Sequence, residues 1–161
     1  MTSSTVKLVI ATSVVVAGQL ALAGMVHAAD KIQVGTLHAE GAQVYECKAN
    51  DARALVWQFR EPIATLFENG KTVGRHYAGP NWELADGGIA AAKVATRKPG
   101  ATAIDIPILT LEVTTRSGGG RLAEVTTIER VNTRGGIAEG PCPTAGAFLS
   151  APYSADYVFY R

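Results

Sequence analysis

Apolar and polar positions alternate with a period of two along most of the chain after Ala42. In "AQVYECKA", Val44, Glu46 and Lys48 fall on one face and Tyr45 and Cys47 on the other; in "ALVWQFR", Leu55, Trp57 and Phe59 alternate with Val56, Gln58 and Arg60. This repeat predicts strands, because successive side chains leave a pleated backbone on opposite sides. "ATLFENGKTVGRH" contains Asn69-Gly70, a dipeptide favoured in hairpins whose two central residues both need positive φ. That turn predicts a register in which Glu68 faces Lys71 and Leu66 faces Val73. A second hairpin is expected from "ILTLEVTT", which places Leu109, Leu111 and Val113 on one face, the turn "SGGG" and the return "RLAEVTTIERV". Parity slips between Val125 and Ile128, which predicts a bulge near Thr126-Thr127. "RGGIAEGPCPTAGA" reads as a loop and "YSADYVFYR" as a final strand. No window sustains the 3.6-residue apolar period of a helix over several turns. The fold class expected is all-β, an antiparallel β-sandwich or barrel-like single domain spanning residues 42–161.

The first part of the chain follows a different pattern. Lys7 precedes the apolar run "LVIATSVVVAGQLALAG", which closes on "MVHAAD", where Val26, His27 and Ala28 supply a small-x-small cleavage site. This predicts a secretory signal peptide over residues 1–28, cut after Ala28, with residues 29–41 as a flexible lead-in. An uncleaved anchor is the alternative, since Leu8 to Ala29 reaches the ~20 residues a spanning helix needs. Cleavage leaves about 130 residues, enough for one domain with its own core.

Charge and composition then narrow the function classes. The chain has 15 basic and 14 acidic side chains, and Lys7 leaves with the leader, so the mature protein is formally neutral. Without a Lys/Arg cluster it lacks the electrostatic footprint of a nucleic-acid binder, and no nucleic-acid partner is expected. Both methionines and His27 also lie in the leader, leaving His38 and His76, so no metal or other cofactor is expected. Cys47 and Cys142 are an even pair in a chain sent to an oxidising compartment, which predicts one disulfide closing a long loop.

Several short motifs fail in context. "GKT" at Gly70 to Thr72 follows a hairpin turn and has Thr65 where a phosphate-binding loop needs its leading glycine. "SGGG" lies between strands with no helix to receive an anion. Neither a G-x-S-x-G elbow nor an H-E-x-x-H zinc motif is present.

The densest chemistry lies in "GRHYAGPNWELADGG", Gly74 to Gly88. Here a strand is expected to end at Tyr77, Ala78-Gly79-Pro80 to form a corner, Asn81 to Leu84 to begin a new strand and Asp86-Gly87-Gly88 to turn again. Gly74 shares a face with His76 and is expected to leave open space beside the imidazole. As a site, the segment offers His76 as a general acid or base, Glu83 or Asp86 to orient it, and Tyr77 or Trp82 as a platform. The candidate ligand-binding residues are His76, Tyr77, Asn81, Glu83 and Asp86. As a structural corner, the same residues put Trp82 and Leu84 in the core and use His76 and Asp86 to satisfy turn backbone groups.

The motifs "YECKA", "LVWQFREPIATLF", "GKTVGRHYAGPNWE", "DGG", "IERVNTRGG", "GPC" and "YSADYVFYR" occur in order from Ala42 to Arg161. Together they resemble the secreted bacterial and fungal family catalogued as domain of unknown function 3455. The resemblance implies a secreted β-rich domain that retains Cys47 and Cys142, and it brings no catalytic residue or ligand with it. The chain departs from the pattern at Ile108, Leu109 and Thr110, where a tryptophan and further leucines are expected, and at Gly88, where a serine is expected. The function expected is a non-catalytic exported module for a small molecule, a glycan or another envelope component, without stable membrane insertion after cleavage. The alternative is a hydrolase or lyase using His76 with a nearby carboxylate. A third reading, a small outer-membrane barrel, rests on the aromatic tail Tyr157, Phe159 and Tyr160.

Overall fold

The computed structural model describes Met1 and residues 31–161. Beyond Met1, the expected leader and its cleavage point after Ala28 lie outside the described residues. Eight strands follow: β1 (Gln33–Ala49), β2 (Leu55–Glu68), β3 (Lys71–Tyr77), β4 (Asn81–Leu84), β5 (Ile89–Lys98), β6 (Ile108–Ser117), β7 (Thr127–Gly135) and β8 (Phe148–Tyr160). Each pairs antiparallel with the next and β8 returns to pair with β1, which closes the sheet into an up-and-down barrel. Closure removes both sheet edges, and eight strands enclose an interior wide enough for packed side chains or one small ligand. The all-β expectation holds, and of its two forms the barrel is the one adopted.

Alternation along each strand decides which side chains enter. From β1 come Leu37, Ala39, Gln43, Tyr45 and Cys47, from β4 Trp82 and Leu84, from β6 Leu109 and Leu111, and from β8 Tyr153, Ala155, Tyr157 and Phe159, all buried. The small Ala90 and Ala92 of β5 are buried too, and Ala90 lies directly across from Trp82. A methyl group there leaves room for the indole. β5 carries no clear period of two, because three successive alanines blur its alternation.

Several local expectations change. Residues 33 to 41, expected as part of a loose lead-in, belong to β1; they pair with β8, and from His38 onward with β2 as well. β2 runs without interruption through Glu61-Pro62, with a bulge at Arg60 opposite the Val44/Tyr45 step. Its pairing with β3 begins only at Ala64, so Pro62 sits where no β3 partner asks for an N–H. Asn69 and Gly70 both have positive φ, 51° and 75°, as the hairpin requires. Glu68 faces Lys71, but a bulge at Val73 brings Leu66 opposite Gly74. Gly74 leaves no open space: a Cβ there would come within 2.2 Å of the Glu83 carbonyl oxygen and 2.8 Å of the Leu84 side chain. The glycine lets β3 and β4 close together.

The parity slip after Val125 is a loop rather than a bulge. Residues 118–126 form an excursion containing a 3-10 turn, Gly120–Leu122, and β7 begins at Thr127. Leu122 and Val125 leave the strand pattern because they are folded under one end of the barrel, where both are buried. Asp86 ties this plug down: its carboxylate accepts from the N–H of Gly88 at 3.0 Å and of Arg121 at 3.0 Å, and Arg121 reaches on to Glu68 at 2.7 Å.

The opposite end is built from loops held apart. The β7–β8 loop lies across the β1–β2 hairpin through Cys142 N–H to Leu55 O and Gly146 N–H to Cys47 O, and the Cys47–Cys142 disulfide joins the two covalently. Asp105 fastens the β5–β6 loop, accepting from Thr102 and from the N–H of Gly135. These bonds, the Thr102 side chain first, hold its carboxyl below the usual range.

Candidate functional site

Between these loops the barrel is hollow. A cavity of about 720 Å³ opens at the disulfide-bearing end, within the range of small-molecule sites. Gln43, Tyr45, His76, Trp82, Arg130 and Tyr157 bring polar atoms to its walls among Pro62, Ile106, Leu109 and Leu111. Trp57, Phe59 and Val94 also line it, and Phe59 and Val94 are 55% and 44% exposed. The mouth is therefore open to solvent, with these apolar side chains beside the exposed Arg60, Arg97 and Glu139.

His76 stands at the centre of an aromatic cluster. Its ring stacks on Trp82 with centroids 4.5 Å apart and planes 20° off parallel, and meets Tyr157 at 4.9 Å; Trp82 and Tyr157 meet edge-on at 5.3 Å. Nδ1 lies 2.8 Å from the carbonyl oxygen of Asn81. A carbonyl only accepts, so Nδ1 carries the proton and Nε2 keeps its lone pair. Burial drives the pKa down to about 4 against the pull of the Asn81 carbonyl, and the nearby Arg130 cation adds to the lowering. At neutral pH the ring is uncharged.

Arg130 is 9% exposed and enters the interior from a β7 position that shares parity with Ile128. Its Nε donates to the Pro107 carbonyl at 3.0 Å. Tyr45 donates its hydroxyl to Gly136 O at 2.8 Å. Burial pushes the phenols of Tyr153 and Tyr157 above their usual range, so both stay neutral. Two buried polar atoms of residues in the lining, Gln43 Nε2 and Trp82 Nε1, lack a hydrogen-bond partner and have almost no accessible surface.

The residues expected to form one site are divided among three places. His76 faces the cavity, and Asn81 supports it through its backbone carbonyl while its side chain donates to Ala78 O in the corner. Tyr77 and Glu83 alternate with the buried His76 and Trp82, so they face outward. There the Tyr77 hydroxyl and Arg75 both donate to Glu83, at 3.1 and 2.8 Å, and the Arg75 guanidinium lies over the Tyr77 ring. Arg75 holds the Glu83 carboxyl below the usual range, and Tyr77 adds to the effect. Asp86 sits in the plug at the far end, where the Arg121 N–H is the main cause of its lowered pKa. Neither carboxylate proposed to orient His76 does so. Trp82 and Leu84 point into the core, as the corner reading expects.

Gln43, Tyr45, Arg130 and Tyr157 were not among the expected site residues. Gln43 nevertheless carries a readable signal, since it is a polar residue on the inward face of β1 with Leu37, Ala39, Tyr45 and Cys47; Arg130 shares the inward parity of Ile128 on a mostly polar strand and does not stand out. Barrel closure is what gathers them.

Among the described residues no group of three or more potential ligands could hold a metal ion, and no helix is long and apolar enough to cross a membrane. No curated protein and no solved structure matches the chain. The family described as "Protein of unknown function (DUF3455)" matches residues 28–161, and the chain belongs to that family.

Proposed function

We propose that this protein is an exported, non-catalytic binding barrel that holds a small, largely apolar molecule in the cavity at its disulfide-bearing end. One observation carries the reading: the interior is packed at one end and opens into a cavity of about 720 Å³ at the other. Native interiors are close-packed, so a cavity of this size in the end of the barrel is explained by a ligand better than by folding. The disulfide and the expected leader support export. Charged side chains such as Arg75, Glu83, Lys93 and Glu112 on the outer strand faces argue against a lipid-facing barrel. The aromatic tail does not form a girdle, because Tyr157 and Phe159 are buried inside. A hydrolase or lyase pairing His76 with Glu83 or Asp86 finds no support in the partners of those residues.

The chain has two tryptophans, Trp57 and Trp82, and both line the cavity. Their fluorescence therefore reports on its occupancy. A thermal-shift screen of small metabolites and glycans should find a ligand that raises the unfolding midpoint and changes tryptophan emission at the same concentrations. At a hundredfold excess over Kd the stabilisation is about 2.7 kcal/mol. A ligand that moves the midpoint and leaves the emission unchanged places binding elsewhere and overturns the reading.

A further inference from the structure

The wall of the cavity is unbalanced in charge and in hydrogen bonding. Arg130, more than nine-tenths buried, uses Nε on the Pro107 carbonyl, lies against the Tyr157 hydroxyl and takes part in no ion pair among the described residues. A guanidinium has five N–H donors, cannot shed its charge and suits the two oxygens of a carboxylate. Its neighbours supply no counter-charge: His76 is neutral, Tyr153 and Tyr157 keep their protons, and Gln43 and Trp82 are uncharged. Trp82 Nε1 is a donor only, and it is buried without an acceptor, as is the amide nitrogen of Gln43. The other charged residues in the lining are Arg60, Arg97 and Glu139. Arg60 is engaged by Glu46 and Glu61. The lining thus has three arginines against one carboxylate.

Resting on the cavity reading above, we infer that the ligand is an organic monoanion, a carboxylate on an apolar body, with its carboxylate paired to Arg130 and its body among Trp82, Tyr157, Phe59 and the leucines of β6. A buried, unpaired cation is costly, and a carboxylate brought in by the ligand removes that cost. A neutral molecule of the same shape leaves the guanidinium unpaired. The site thereby prefers the anion over its neutral isostere.

The test uses the neutral fluorophore N-phenyl-1-naphthylamine, which brightens on entering an apolar cavity, and displaces it with matched pairs: 2-naphthoate against 2-naphthamide, and decanoate against decanamide. The dye should bind the wild-type protein, and the acid of at least one pair should displace it at about tenfold lower concentration than its amide, the strength of one charge-assisted hydrogen bond. In Arg130→Gln the dye should still bind and the difference within that pair should fall to about twofold or less. If the dye binds wild type and each acid is no better than its amide, the anion inference is overturned and the cavity reading stands. If the dye does not bind, the cavity reading fails and the inference with it. The comparison of acid with amide is made on wild type, so it decides the question even where Arg130→Gln does not fold.

Discussion

The two ends of the barrel are built from the same strands and held by different forces. At the plugged end, Leu122 and Val125 fold under Leu37, Leu84 and Phe159, and the apolar contacts fill the interior. At the other end, the walls extend beyond the sheet as loops, and a disulfide and the Asp105 bonds keep them apart. Packing stabilises the first; covalent and polar ties hold open the second. The contrast separates residues that serve the fold from residues the fold would do without, and it assigns Arg130, Gln43 and the free Trp82 N–H to the second group.

The largest effect should come from the staple. Cys47 and Cys142 are 95 residues apart, and closing a loop of that length is worth up to about 4 to 5 kcal/mol on the chain-entropy model. Cys47→Ser with Cys142→Ser should lower stability by about that much in a denaturant titration, and amide exchange should rise most in the β7–β8 loop. Thiol titration of the unreduced, denatured wild type should find no free sulfhydryl; two thiols per chain would deny the staple.

Leu122→Ala should follow, losing about 2 to 5 kcal/mol, because it empties a fully buried position in the plug. A loss below about 1 kcal/mol would mean the plugged end is not packed as described.

His76 sharpens the comparison through pH. Its folded pKa of about 4 lies below the ordinary 6.5, so the unfolded chain binds the extra proton first. Its stabilisation is therefore full above about pH 6.5 and is lost as pH falls toward 4, up to about 3 kcal/mol in all. The lowered carboxylates, Asp86 and Asp105 among them, make their losses at more acid pH. His76→Gln should flatten the stability profile between pH 6.5 and 4 and leave the more acid limb in place. An unchanged slope in that window would show that the buried imidazole is not the group titrating.

Arg130→Met should have the smallest effect on the empty protein, within about 1 kcal/mol of wild type. It removes the bond to Pro107 and the contact with the Tyr157 hydroxyl, and it relieves an unpaired buried charge. A loss of several kcal/mol would make Arg130 a structural residue and erase the difference between the two ends.

Much of this architecture could be read from residue order. The Asn69-Gly70 turn, the alternation of Leu109, Leu111 and Val113 and the corner between β3 and β4 are local signals, each with a physical cause that neighbouring residues do not override, and the cysteine pairing is legible over 95 residues because the chain has two cysteines. The plug was misread because Leu122 and Val125 satisfy an apolar demand from below the barrel, which strand parity does not encode. β5 was missed because alanine carries little strand signal, and here it is selected by the size of Trp82. The site was half legible. His76 stood out as a histidine in a dense corner, but Tyr77 and Glu83 alternate with it and so had to face away. Gln43, Arg130 and Tyr157 come from β1, β7 and β8, and only the β1–β8 closure brings them to the same cavity.

The central claim, that the hollow end is where a ligand sits, is tested most directly by the two indole N–H signals in a ¹⁵N-labelled sample. With the tightest compound from the displacement series added to saturation, the Trp82 and Trp57 signals should both shift along one binding curve with one equivalent bound, while the Asp86 and Arg121 amides at the plugged end stay in place. A curve followed by the Asp86 and Arg121 amides with both indoles unmoved would contradict it.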